Sequence, residues 1–333
     1  MAARPSTPPE DLYFPFIPTI WLMTAPSINP PQPPYLPNTA IHPIFSRTNC
    51  TDPIDPIHGI AFTPAQYDQL YPAIALASKF LTTASCLPWW VRLCLSTIAF
   101  DPATSRHHLR PVPATLATLD ATRLHLLQHA PRIRIRFAHP GQYATARIYA
   151  QTTIPTRTLI LITLRHDHLR YLTSGAGLAR ASEPQRLCFF FHVAQLLVHE
   201  AAHAIAHALP DAPLVEPYHD LSEPEAEFGS SWENSAFGGR AQALGGDCRV
   251  AKGLVWWRWG GERRGGHGDG ADLMVKRYWG VYMAWVEALF REATWRKVEA
   301  LGLREIEMRT CGDRARWGMD EEEYWRNQGT KGE

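Results

Sequence analysis

Within QLLVHEAAHAIAHAL (Gln195–Leu209), the residues His199, Glu200 and His203 satisfy the pattern H-E-x-x-H. On a helix, residues four apart stand one above the other, ~6 Å along the axis. Two imidazoles so placed can converge on one divalent ion, each at about 2.0–2.1 Å. Glu200 lies ~100° further round the helix, where it misses the ion and faces a water beside it, the position a general base needs. The competing reading is a buried apolar helix that happens to carry histidines. Small residues flank the motif (Ala201, Ala202, Ala204, Ala206), and they let another stretch of backbone approach closely. His207, one turn beyond His203, is badly placed to share an ion with His199. His192, seven residues before His199, is a neighbour on the same face.

A catalytic zinc usually takes three protein ligands and leaves one position open. The metzincin extension H-x-x-G-x-x-H fails, because Ala206 and Leu209 stand at its Gly and His places. The acidic stretch that follows offers Glu223, Glu225, Glu227 and Glu233 as third ligand.

These residues need elements to position them. Gln185–Leu209 is expected to be one long apolar helix, stopped by Pro210 and Pro213. Before it, RIRIRFA alternates strictly, ATARIYAQ is β-like and TRTLILITL is an apolar run, so three strands in one antiparallel sheet are expected. After it, Ser222 with Glu225 and an early Pro224 marks a second helix start, and Gly238 with Gly239 ends that helix. Upstream, Thr63, Pro64 and Gln66 form a capping-box start to a helix that Pro72 kinks. LPWWVRLCLSTIAF and PATLATLDATRLHLLQHA are two more helices. RVAKGLVWWRW suggests a strand, and Ala271–Leu301, rich in aromatics, a long helix. GGERRGGHGDGAD lacks the phosphate-loop pattern, and MDEEEYWRNQGTKGE reads as a solvated end.

The chain of 333 residues has a formal net charge of +1, which argues against nucleic acid as the default partner. Its six cysteines are scattered without a C-x-x-C, as expected of buried thiols in a reducing compartment. Tyr13–Met23 is interrupted by Pro15 and Pro18 and lacks a basic leader, so no signal peptide is expected. No run of 18 apolar residues suggests a membrane span. A cytoplasmic location follows as an expectation. The proline-rich first 60 residues carry Phe14, Phe16, Trp21, Tyr35 and Phe45, which suggests an extended arm wrapped on the body.

From Thr156 to Gly239 the chain resembles the gluzincin class of zinc metallopeptidases, in which H-E-x-x-H is followed by a glutamate on the next helix. Glu223, twenty residues past His203, has thermolysin-like spacing. EAEFGSSWENSAFGG is also similar to fungal H-E-x-x-H proteins that share an E-x-G…W-E…F-G-G segment, and that likeness makes Glu227 the ligand, with Gly229 allowing the helices to approach. Glu233, ~240° further round the helix than Glu227, then falls outside the ligand set. The resemblance implies an α+β, zincin-like fold: a small antiparallel sheet before the H-E-x-x-H helix, a helical N-terminal part and a helical C-terminal cap. Proline content and element pattern, with this site, divide the chain into an arm (1–60), a helical part (61–130) and a metal-binding domain with its cap (131–333). The resemblance carries further implications for the site. It implies one Zn2+ per chain on His199, His203 and Glu227, with Glu200 as base and Tyr218 or His219 as oxyanion partner. The edge strand, TRTLILITL or ATARIYAQ, would hold an extended peptide or small amide substrate, with neither nucleic acid nor membrane involved. Two alternatives stand beside this hydrolase: a metalloenzyme acting on a small metabolite, and a non-catalytic metal-binding protein.

Overall fold

The computed structural model describes residues 33–53, 56–143, 148–175, 177–209, 215–243, 254–261 and 274–308. Trp21, Phe14 and Phe16 of the arm, most of the glycine-rich stretch and the charged C-terminal stretch lie outside the described residues.

The described part of the arm is packed on the body. Tyr35, Leu36, Ile44 and Phe45 are buried, and α1 (Arg47–Thr51) follows them. A side chain of the body fastens this segment. Arg136 is fully buried and donates to the carbonyls of Asn49 at 3.0 Å, Cys50 at 3.1 Å and Asp52 at 2.6 Å. Asn49 in turn donates to the carbonyl of Ala130 at 2.9 Å.

Thr63 caps α2 (Pro64–Gln69) with the full capping box. Pro72 does more than kink this helix. The chain breaks at Leu70 and restarts as α3 (Tyr71–Thr82), with the proline in its first turn, where the missing N–H has no intrahelical role. LPWWVRLCL forms α4 (Leu87–Leu95), but the rest of that stretch leaves the helix. It pairs as β1 (Ile98–Asp101) with β2 (Arg106–Leu109), an antiparallel hairpin that local patterning did not announce. α5 (Leu116–His129) follows.

The sheet before the long helix is mixed, which corrects the expected all-antiparallel order. β3 (Ile133–Phe137) pairs in parallel with β5 (Leu159–Leu164), and β4 (Ala150–Thr156) is antiparallel to β5 on its other side. Composition explains this order. LILITL is almost wholly apolar and buried, and so takes the centre, with a ladder on each side. AQTTIPT is polar and contains Pro155, which has no N–H to donate, so it is confined to the edge. On the far side, Ile60 bridges Phe137. There Gly59 holds φ +111°, and a Cβ would stand 2.7 Å from the Phe137 carbonyl.

After α6 (His166–Thr173) comes α7 (Glu183–Ala208), 26 residues and ~39 Å long. It is buried on nearly all sides against α3, β4 and β5. It is long and apolar enough to cross a membrane, yet 83% of its apolar window is buried inside the protein, so the core uses that apolarity.

The second helix starts later than expected. Residues 222–227 are turn and extended chain, and α8 spans Phe228–Phe237 with Glu227 as its N-cap. Gly238 ends it at φ 75°. Beyond it, β6 (Arg240–Ala243), β7 (Leu254–Gly261) and β8 (Met274–Gly280) form an antiparallel sheet. From Met274 onward the expected single helix is instead β8, α9 (Met283–Leu289) and α10 (Glu292–Leu301). Aromatics spaced at both two and three or four residues fit either periodicity, and pairing with β7 decides for strand. Phe80 of α3 meets Trp232, Phe237 and Trp295 edge-on at centroid distances of 5.2–5.4 Å, so one aromatic cluster joins α3, α8 and α10. The architecture is α+β. Among the described residues Cys50, Cys86, Cys94 and Cys188 are free and buried.

Arg136→Met keeps the bulk but strands buried carbonyls. It should lower stability by about 2–3 kcal/mol or more. A denaturant titration checks this as a lower midpoint at unchanged slope.

Candidate metal centre

α7 presents His199 and His203 one turn apart, and the N-terminus of α8 lies directly opposite. Glu227 Oε1 is 3.0 Å from His199 Nε2 and 2.7 Å from His203 Nε2. These three atoms all lie within 4.8 Å of one another, and no other group of three or more such residues among those described could hold an ion. In a tetrahedral site with bonds of about 2.0–2.1 Å, donor atoms stand ~3.3 Å apart. The observed separations need open by only a few tenths of an ångström, so the donor set fits a divalent ion. The second oxygen of Glu227 accepts the Ser230 N–H, so the residue caps the helix and faces the imidazoles at once.

This convergence depends on Gly229. A Cβ there would stand 2.4 Å from the His199 ring. The ring cannot swing aside freely, because its Nδ1 lies 2.7 Å from Glu233 Oε1. Glu233 is outside the cluster, and its other oxygen accepts from Gln195 Nε2 at 2.7 Å. That same amide also donates to the Ala241 carbonyl at 2.7 Å.

Behind the second imidazole stands a residue that sequence reasoning missed. His203 Nδ1 is 2.5 Å from Glu216 Oε1, and Glu216 Oε2 accepts the Phe228 N–H at 2.9 Å. Glu216 lies in a short loop with no periodicity, thirteen residues from His203, so no local signal marks it.

The charges follow from this packing. Burial alone would lower both imidazoles. Glu227 and then Glu233 outweigh it at His199, which is held well above its ordinary value. Hydrogen bonds to Glu216 and Glu227 raise His203 to about 9. Burial would raise Glu227, but the two imidazoles hold it far below the usual carboxylate range.

Glu200 faces β4. Its carboxylate lies 2.8 Å from the Thr152 hydroxyl, which is also 2.9 Å from the Glu200 carbonyl. Burial pushes the phenol of Tyr143 above its ordinary value, a hydrogen bond with Gln142 offsets part of this, and the Glu200 charge adds to it. The Tyr143 backbone holds φ 64°, unusual for a residue with a Cβ.

The oxyanion candidates read from sequence are placed elsewhere. His219 is buried, stacks on Trp89 at 4.6 Å and bonds the Trp89 carbonyl through Nε2 at 3.1 Å. Burial lowers it to about 4, so it is neutral. Tyr218 pairs with β2 through its backbone, and its ring lies 4.4 Å from the Arg106 guanidinium. Neither makes a hydrogen bond or ring contact with the cluster. The other acidic candidates also turn away: Glu225 pairs with Arg240 at 3.0 Å, and Glu223 accepts the Ser231 hydroxyl. His192 is buried against His168 and Tyr149, and His207 is not in the cluster.

No protein-family model matches the chain, and neither the curated proteins nor the solved structures provide a match.

Gly229→Ala should force the helices apart or displace His199, at a cost of about 1–3 kcal/mol. Thermal melts of the metal-free protein read this, and a variant as stable as the parent would contradict the close approach. Glu223 gives a pH signature. Burial raises it to about 7, against an ordinary 4.5 in the unfolded chain. Between these values the unfolded chain has lost the proton and the folded chain keeps it. Its contribution is therefore full below pH 4.5 and is lost as pH rises through 7. Glu223→Gln should match the parent near pH 4 and be more stable than the parent at pH 8, as followed by denaturant titration across pH.

Proposed function

We infer that the chain is a metal-dependent hydrolase with a zincin-like, gluzincin-type site that acts on peptide or amide bonds. The observation that carries this reading is the convergence of His199 Nε2, His203 Nε2 and Glu227 Oε1, with Glu200 on the adjoining face beneath an edge strand. His199, His203 and Glu227 would hold the ion, with zinc the default for two imidazoles and one carboxylate, a set that iron, nickel or manganese also accept. A bound ion supplies Lewis acidity and lowers the pKa of a water.

The protein's own groups do the rest. Glu200 accepts the proton of the attacking water and delivers it to the leaving amine. Thr152 fixes the carboxylate in place by donating its hydroxyl. β4 is polar, pairs only with β5 among the described residues and lies on α7, so its other edge would add an extended substrate strand. Of the two stretches considered for that role, TRTLILITL mostly forms the buried central strand β5 and ATARIYAQ meets β4 only at Ala150 and Gln151, so the edge on offer is β4 itself, mostly the residues after that stretch.

Protein purified without chelators should contain one zinc per chain by elemental analysis, and metal far below that level sinks the reading. Glu200→Gln should keep the metal and lose turnover of a peptide library. His203→Ala should lose both metal and thermal stability, because ion binding is linked to folding.

A further inference from the structure

The two imidazoles are held from behind in different ways, and the difference bears on how the site is assembled. His199 is fixed from within the core: Glu233 and Gln195 are both buried, and the Ala241 carbonyl anchors the amide of Gln195. His203 is fixed by the loop before α8, where the two oxygens of Glu216 span the His203 ring and the Phe228 N–H. A carboxylate can only accept, so each Nδ1 must carry a proton. A cation can therefore replace only the Nε2 proton. A carboxylate behind Nδ1 fixes the ring's orientation and makes Nε2 a stronger donor. We propose that Glu216 and Glu233 are positioning residues for the ion, and that Glu216, by also holding the first amide of α8, couples ion uptake to the seating of the loop 215–227. This rests on the metal reading above.

The test measures Zn2+ affinity of the full chain by chelator competition, together with amide hydrogen exchange over 215–228. Glu216→Gln and Glu233→Gln should each weaken Zn2+ by ~10–100-fold. Zn2+ should slow exchange over the loop in the parent and in Glu233→Gln, but not in Glu216→Gln. Glu225→Gln removes a charge from the same loop without touching a histidine and should keep the parental affinity. If Glu216→Gln fails to fold, Glu216→Asp, too short to span both partners, should show the same loss. A loss below ~10-fold in both Gln variants overturns the assignment. So does an equal loss in Glu225→Gln, or a loop whose exchange ignores Zn2+. A parent chain that binds no Zn2+ overturns the metal reading itself, an outcome separate from these.

Discussion

The distance between α7 and α8 is the constraint on which the centre depends. Glu227 reaches both imidazoles only because residue 229 has no side chain to hold the helices apart. The approach is also fixed from outside. Trp232 and Phe237 of α8 are locked into the aromatic cluster around Phe80, and the small residues of α7 open the other face. Packing thus sets the geometry first, and the polar groups occupy a separation that the apolar ones impose.

Polar groups gathered so densely need to neutralise one another. Glu216, Glu227 and Glu233 surround two imidazoles, and the opposing effects on their protonation show how strongly each depends on its neighbours. Positive charge between the helices, whether protons on nitrogen or an ion, holds the carboxylates together. Glu200, the proposed base, is tied instead to the sheet through Thr152. All four groups but Glu227 ride on α7, yet they are held from different sides: the imidazoles by carboxylates of α8 and the loop before it, Glu200 by the edge strand.

How much of this was legible in the sequence depends on range. The H-E-x-x-H helix, the Thr63 cap and the Gly238 stop are local patterns, and each could be read from a few residues; Glu227 stood out among its neighbouring glutamates only through the resemblance to H-E-x-x-H proteins. The strand order was harder, because it depends on which run is buried on both faces. That comparison of LILITL with AQTTIPT could have been made from composition alone. Glu216 had no local signature, since its contacts with His203 and Phe228 join parts of the chain that no short pattern links. His219 shows the reverse error. Its position in the loop suited chemistry, but the face of Trp89, far away in sequence, claimed it. From Met274 onward, aromatic spacing fitted two periodicities, and only pairing with β7 resolved it.

The Arg136 clasp has a consequence for how this protein can vary. The guanidinium grips the arm through main-chain oxygens at Asn49, Cys50 and Asp52, and every amino acid supplies such an oxygen. Recognition at these contacts is thus blind to side-chain identity. Asp52, which is exposed and supplies only its carbonyl, is free to drift through many substitutions while the path of the chain stays fixed. Cys50 and Asn49 are not, because the thiol is buried in the core and the amide also ties the arm to Ala130. At the grip itself, then, a residue of the body rather than the letters of the arm decides the path of the chain.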